Sequence, residues 1–164
     1  MSWTLSPEMR DRFDKIVARY PEGRSQSAVI PLLHLVQEAS GGSLTEAQQR
    51  AVAEYLGIPM SKVHEVTTFY SMYSLKPRGR RHLLVCRTLP CALCGCAAVS
   101  AAVRERLGVA EGEVTPDGAF SWEEVECLNH CDLGPVLQVG EEVYGGLDAA
   151  KVSALIETWS KEER

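Results

Sequence analysis

Two cysteine pairs in the second half of the chain constrain its fold most. Cys86 and Cys91 have the spacing C-x4-C, and Cys127 and Cys131 have the spacing C-x3-C. Each pair lies where a predicted strand passes into a loop, and one crossover of structure separates the pairs. Thiolate sulfurs on two converging loops suit a metal–sulfur centre. We therefore expect the surrounding domain to hold these two loops together.

Composition and charge exclude several classes of protein. The 164 residues are 45% hydrophobic and 24% charged, and the net charge of -5 argues against nucleic-acid binding. No apolar run approaches the ~18 residues that span a bilayer, and the first residues lack the layout of a signal peptide. We expect a cytoplasmic protein without direct membrane insertion, whose six cysteines serve metal or redox chemistry rather than disulfides.

The first half of the sequence predicts a small bundle of four short helices over residues 1–76. Ser6 is a suitable N-cap for the first helix, and Gly41-Gly42 is a suitable end for the second. The segment Ser43-Leu44-Thr45-Glu46 has the form of a capping box. Proline, glycine and solvated charges at residues 75–81 then mark a domain boundary.

The second half, residues 77–164, predicts the order β-α-β-β-α. This order indicates a thioredoxin-like α/β layer, so the fold class of the whole chain is α+β. The predicted elements are a strand at 82–86, one helix at about 91–107, a strand at 120–126, a hairpin around Gly140 and a last helix capped by Asp148.

The two cysteine pairs match the demand of a [2Fe-2S] cluster for two soft, anionic ligands at each iron. Cys91 lies near a predicted helix N-terminus, which favours a thiolate. Asn129 lies in the tight C-x3-C turn, where a positive φ is often needed and asparagine tolerates it best after glycine. A Rieske arrangement would need two histidine ligands, and only His130 is in place.

Alternatives remain for the cysteines. Cys94 and Cys96 lie outside the two pairs and are interpreted as small, buried or half-exposed residues. Cys91 and Cys94 also spell C-x-x-C, so a thioredoxin-like dithiol oxidoreductase is a rival hypothesis, although it leaves Cys127 and Cys131 without a role. A structural zinc site from the same four cysteines is a further alternative. The sequence contains no dinucleotide or Walker motif and no catalytic triad, so substrate chemistry is expected in a partner.

Longer motifs resemble a known family over nearly the whole chain, from about Phe13 to Trp159. The chain is similar to the thioredoxin-like [2Fe-2S] subunit of NADH:quinone oxidoreductase, the NuoE (24-kDa) family of respiratory complex I. Related subunits occur in NAD-dependent hydrogenases and formate dehydrogenases. The motifs are Thr67-Thr68-Phe69-Tyr70-Ser71-Met72-Tyr73-Ser74-Leu75-Lys76-Pro77, Val85-Cys86 with Cys91, Gly112-Glu113-Val114-Thr115-Pro116-Asp117-Gly118 and Val125-Glu126-Cys127-Leu128.

The resemblance implies one [2Fe-2S] cluster on Cys86, Cys91, Cys127 and Cys131, with no catalytic residue in this chain. It implies that residues 1–76 dock onto a flavin subunit (NuoF-like) that carries FMN, the NADH site and a [4Fe-4S] cluster. It also implies an electron-transfer role within an NADH dehydrogenase, at most peripheral to the inner face of the cell membrane. The chain departs from the family at Asn129 and His130 in the second cysteine loop, and at Gly134, where alanine is usual.

Overall fold

The computed structural model describes residues 3–162, which contain helices and one mixed sheet. The α+β class predicted from the sequence is confirmed. The chain divides into two compact units, Met1–Pro77 and Arg78–Arg164. Within the described residues, no helix is both long and apolar enough to cross a membrane. The elements are α1 (Pro7–Val17), a 3₁₀ turn (Ser25–Ala28), α2 (Val29–Ala39), α3 (Glu46–Leu56), α4 (Met60–Phe69), β1 (Arg81–Cys86), α5 (Leu89–Leu93), α6 (Cys96–Leu107), β2 (Phe120–Val125), a 3₁₀ turn (Cys131–Leu133), β3 (Leu137–Val139), β4 (Glu142–Tyr144) and α7 (Ala149–Glu162).

Capping side chains fix the starts of α1 and α3 in the first unit. Ser6 accepts a hydrogen bond from the Met9 N–H group, as predicted for α1. The predicted capping box at residues 43–46 was wrong, because the observed box lies two residues later. Thr45 is the N-cap of α3, and Gln48 accepts from the Thr45 N–H group at 2.7 Å. Glutamine completes a capping box as well as glutamate does, so the pattern Thr45-x-x-Gln48 fits the same rule.

The helices of the first unit enclose their own apolar core. Tyr73 lies beyond α4, and its hydroxyl donates to the Ile30 carbonyl at 2.9 Å, which ties the end of the unit to α2. Four large apolar residues near that end remain partly or largely exposed, which we call the apolar patch: Phe69, Tyr70, Met72 and Leu75. The buried core residues are Phe13, Ala28, Leu32, Leu33, Val36, Leu44, Val52, Ala53, Leu56, Val63 and Tyr73.

The second unit is built on a sheet with the strand order β2-β1-β3-β4. Strands β1 and β2 are parallel, with Cys86 opposite Val125, whereas β3 is antiparallel to β1. The carboxyl ends of β1 and β2 therefore lie at the same edge of the sheet. Loops that follow parallel neighbouring strands meet at that edge.

One face of this sheet carries the main core of the second unit. Leu83 and Val85 point to this face because alternate strand residues share a side, and both are fully buried. Val99 and Val103 of α6 pack against them in the same cluster. The helices contribute further to this core through Ala102 from α6 and Val152, Ile156 and Trp159 from α7.

The helix predicted over residues 91–107 is interrupted, so this prediction was wrong. The chain forms a short α5 and then α6, with Gly95 between them at φ 93°. A left-handed conformation of this kind ends a helix and is easiest for glycine. The break separates Cys91 in α5 from the buried face of α6.

The opposite face of the sheet carries a hydrogen-bonded polar cluster. His82 Nε2 lies 3.0 Å from a Glu123 carboxylate oxygen, and its Nδ1 lies 2.7 Å from the Ser121 hydroxyl. Arg78 donates to the same Glu123 oxygen at 3.2 Å. Burial lowers the pKa of His82 and the Arg78 charge lowers it further, although Glu123 opposes both effects. His82 is therefore held as the neutral imidazole near neutral pH.

Candidate metal centre

The sheet brings the two cysteine loops to one edge. Cys86 is the last residue of β1, and its N–H group donates to the Val136 carbonyl at 3.0 Å. Cys91 follows in α5, and both of these thiols are buried. Cys127 lies two residues beyond the end of β2, and Cys131 opens the following 3₁₀ turn, with both side chains exposed.

The two buried thiols affect each other's pKa. Burial acts to raise the pKa of Cys86, but hydrogen bonds from the Thr88 hydroxyl, the Thr88 and Leu128 N–H groups and the Cys91 thiol lower it overall. Burial and the bond to Cys86 raise the pKa of Cys91 to about 11. Burial and the neighbouring sulfur oppose the thiolate expected at Cys91, and their effect on the pKa outweighs that of the end of a five-residue helix.

The exposed pair lies across a tight turn. The Sγ atoms of Cys127 and Cys131 are 3.7 Å apart, and the Asn129 N–H group donates to Cys127 Sγ at 3.3 Å. Asn129 has φ 62°, which confirms the positive φ predicted for this position. The hydrogen bond with Cys127 raises the pKa of Cys131, and partial desolvation adds to that effect. A hydrogen bond thus joins the sulfurs of Cys127 and Cys131.

Two contacts and one electrostatic effect link the loops that carry the two pairs. The Leu128 N–H group, from the second loop, donates to the Cys86 sulfur of the first. The Cys86 charge also contributes to the raised pKa of Cys131. Arg87 and Glu126, which neighbour Cys86 and Cys127, form an ion pair at 2.9 Å. This pair is largely exposed and contributes little stability, but it joins the loops beside the sulfurs.

The donor set fits a dinuclear iron–sulfur centre. Two thiolates bound to one tetrahedral metal at about 2.3 Å lie about 3.8 Å apart, and Cys127 and Cys131 have nearly this separation. Among residues 3–162, no three His, Cys, Asp or Glu side chains are grouped so that they could hold one metal ion. The sulfurs instead occur as two pairs, and a [2Fe-2S] cluster takes two thiolates at each iron. Which cysteines bind it in this chain remains a prediction.

The two leftover cysteines differ in environment. Cys96 is buried, as interpreted from the sequence, and burial raises its pKa. Cys94 is exposed at the end of α5. A Cβ atom at Gly134 would lie 3.6 Å from Cys94 Sγ and 3.7 Å from Cys91 Sγ, so both sulfurs border Gly134. The raised pKa of Cys91 is opposite to the lowered pKa of reactive dithiols, which disfavours the dithiol hypothesis.

Sequence reasoning did not identify the donors around Cys86. Thr88 lies two residues after Cys86, and its hydroxyl is 3.2 Å from Cys86 Sγ. A hydroxyl residue so near a cysteine was a usable signal, because short side chains often bond to groups two residues away. The contribution of the Leu128 N–H group depends on how the loops meet, which no local pattern encodes. His130, also in that loop, is exposed.

Comparisons with known proteins agree with this arrangement. The family model of thioredoxin-like [2Fe-2S] ferredoxins matches residues 13–160. The second E-type subunit of the NADH-quinone oxidoreductase of Rhizobium meliloti (strain 1021) is 41% identical over 156 residues, which cover 95% of this chain and 91% of that protein. The E-type subunit of the NADH-quinone oxidoreductase of Rickettsia bellii (strain RML369-C) is 40% identical over 144 residues, covering 88% of this chain and 86% of the relative.

A solved structure shares the fold. The NAD+-reducing [NiFe]-hydrogenase in its H2-reduced state superposes with a TM-score of 0.71 over 82% of this chain and 22% of the hydrogenase chain, at 18% identity. At this identity the similarity shows the fold alone. The family model and the curated relatives confirm the resemblance that the motifs predicted. The chain belongs to the thioredoxin-like [2Fe-2S] ferredoxin family.

Proposed function

We propose that this chain is the [2Fe-2S] electron-transfer subunit of the NADH dehydrogenase module of an NADH:quinone oxidoreductase. It would exchange electrons with FMN in a NuoF-like partner subunit. The observation that carries the proposal is the meeting of two cysteine pairs at one sheet edge, with Cys127 and Cys131 at the spacing of paired thiolate ligands. The relatives at about 40% identity support this assembly as the context.

Cys86, Cys91, Cys127 and Cys131 would hold the cluster, which supplies one-electron chemistry when bound. Cys86 and Cys91 would anchor its buried side, where water is excluded. Cys127 and Cys131 would hold the side nearer the protein surface. The Asn129 N–H group donates to Cys127 Sγ, and the N–H groups of Thr88 and Leu128 lower the pKa of Cys86, so these donors offset negative charge on the sulfurs. Burial of an anionic centre therefore costs less here than in an apolar pocket.

The first unit would dock onto the flavin subunit. Its apolar patch leaves Phe69 79% exposed, and the ring of Tyr70 packs edge-on against it with centroids 4.9 Å apart. Large exposed apolar groups that are neighbours in a structure commonly mark a protein interface. A partner that carries FMN, NADH and a [4Fe-4S] cluster is the one implied by the family. The assembly would be cytoplasmic, at most peripheral to the inner face of the cell membrane.

A second candidate is the equivalent subunit of an NAD-dependent hydrogenase. The shared fold with the NAD+-reducing [NiFe]-hydrogenase favours this alternative, although that similarity concerns fold only. The curated relatives, at twice the sequence identity and over 91% of the first one's length, favour the quinone oxidoreductase. The two assemblies differ in metal content and in electron source, so they can be told apart directly.

Affinity purification of the tagged full-length chain from its source cells tests this function. We expect it to bring down a flavin-containing subunit together with NADH:ferricyanide reductase activity. Nickel in the purified complex, together with H2-dependent reduction of NAD+, would show that the chain belongs to an NAD-dependent hydrogenase instead. A chain recovered alone, without flavin, and able to reduce insulin disulfides would contradict the proposal and support a dithiol oxidoreductase.

A further inference from the structure

The Thr88 hydroxyl has an unusual partner for its position. Thr88 is the N-cap residue of α5, with φ -71° and ψ 167°, and a threonine at this position normally caps the helix with its side chain. No such capping hydrogen bond is present. The Oγ1 atom instead lies 3.2 Å from Cys86 Sγ. The side chain is thus turned away from the helix that it begins and toward a sulfur.

The direction of this hydrogen bond follows from the state of Cys86. Either atom can donate when Cys86 is a thiol, but a thiolate or a metal-bound sulfur carries no proton. In that state the Thr88 O–H group is the donor and Cys86 Sγ is the acceptor. Hydrogen bonds to a charged acceptor are about twice as strong as those between neutral groups. Cys86 is also only 2% exposed, so water does not replace this donor when it is removed.

We propose that Thr88 is a positioning residue that raises the reduction potential of the centre through Cys86. This inference rests on the proposed function. Reduction adds one negative charge to the iron–sulfur group, so a donor on a ligand sulfur stabilises the reduced state more than the oxidised state. The donors on the exposed pair compete with water, whereas the Thr88 hydroxyl acts on the buried side. Its removal should therefore shift the potential measurably.

Redox titration of the full-length protein with three Thr88 variants tests this inference. Thr88→Val keeps the shape of the side chain and removes the hydroxyl, whereas Thr88→Ser keeps the hydroxyl and removes the methyl group. We expect the midpoint potential of Thr88→Val to be more negative than that of the wild type, with Thr88→Ser close to the wild type. If Thr88→Val assembles no cluster, Thr88→Ala replaces it in the same comparison.

The outcomes separate this inference from the proposed function. A Thr88→Val or Thr88→Ala protein that binds iron and has the midpoint potential of the wild type would overturn the role of Thr88. A Thr88→Ser protein that shifts as far as Thr88→Val would also overturn it, because the effect would then come from packing of the methyl group. A wild-type protein that holds no iron would overturn the proposed function itself.

Discussion

The Sγ atoms of Cys127 and Cys131 lie 3.7 Å apart across a turn that the left-handed backbone of Asn129 makes possible. This separation is close to that of two thiolates on one tetrahedral metal. The same turn points the Asn129 N–H group at Cys127 Sγ. One backbone conformation therefore sets both the spacing of a ligand pair and one of its hydrogen-bond donors.

Replacement of Asn129 tests this turn. Asn129→Gly should keep the iron content, because glycine adopts a positive φ freely. Asn129→Val should lower both the iron content and the midpoint of denaturation, since a left-handed conformation costs an ordinary residue about 1–2 kcal/mol and a β-branched residue tolerates it poorly. Iron analysis and chemical denaturation of both variants give the measurement. Equal iron content in the two variants would show that the turn does not position the ligands.

Replacement of Gly145 tests the packing of Gly145 against Leu133, at the end of the second cysteine loop. A Cβ atom there would lie 2.5 Å from Leu133 Cβ and 2.8 Å from the Leu133 carbonyl oxygen. Gly145→Ala should therefore destabilise the protein by about 1–3 kcal/mol, as overpacking does. Gly134→Ala is the matched control, because its Cβ would meet the nearest sulfurs at ordinary contact distances of 3.6–3.7 Å. Chemical denaturation that ranks these two variants in the opposite order would refute the packing described here.

The pH dependence of stability tests the buried state of His82. Its pKa in the folded protein is lowered from 6.5, mainly by burial. Well above pH 6.5 His82 is neutral in both the folded and the unfolded state, so it adds no pH dependence. As the pH falls below 6.5, the unfolded chain takes up a proton before the folded chain does, so the free energy of unfolding decreases. One such group changes it by at most about 1.4 kcal/mol per pH unit.

The control for this prediction is His82→Gln, which removes the titrating group and replaces the ring N–H donor with an amide donor. Denaturation in urea at constant ionic strength, from pH 7.5 to 5, should show a shallower loss of stability for the variant. The comparison uses the slopes, because the substitution itself changes the absolute stability. Parallel slopes for the two proteins would mean that His82 titrates alike in the folded and unfolded states.

The apolar patch can be tested by changing its most exposed member. Phe69→Ser should lower the recovery of the flavin subunit in affinity purification, because truncating a buried aromatic residue at an interface commonly costs more than 1 kcal/mol. The iron content of the chain should not change. Lys62→Ser, on the same helix and in an exposed ion pair, is the control and should leave recovery unaltered. If the Phe69→Ser variant recovers as much flavin subunit as the wild type, the apolar patch is not part of the docking surface.

The sequence predicted the parts of this protein that depend on local patterns. Ser6 caps α1, Asp148 accepts from the Lys151 N–H group at the start of α7, and Asn129 has a positive φ. Each of these features occurs at a position that few residue types suit, either a helix N-cap or a residue with a positive φ. The spacing of the cysteines likewise indicated pairs, because a single loop can bring together two residues that are four or five positions apart.

Features that depend on competing local signals or on packing were harder to predict. The sequence analysis placed Gly95 inside one helix, although its left-handed backbone lies between α5 and α6 and interrupts that helix. The capping box admitted two registers, and a hydrogen bond from Gln48 Nε2 to Ser40 Oγ at 2.6 Å supports the observed one. The pKa of Cys91 depends on its burial and on Cys86, and neither is visible from its position near a helix start.

Iron and acid-labile sulfide analysis of the anaerobically purified chain tests the central claim most directly. We predict about two irons and two sulfides per chain, with the visible absorbance of a [2Fe-2S] cluster. Cys127→Ala should abolish the cluster absorbance and Cys94→Ala should preserve both iron and absorbance. A metal-free wild type, one zinc per chain, or an unchanged spectrum in Cys127→Ala would contradict the account.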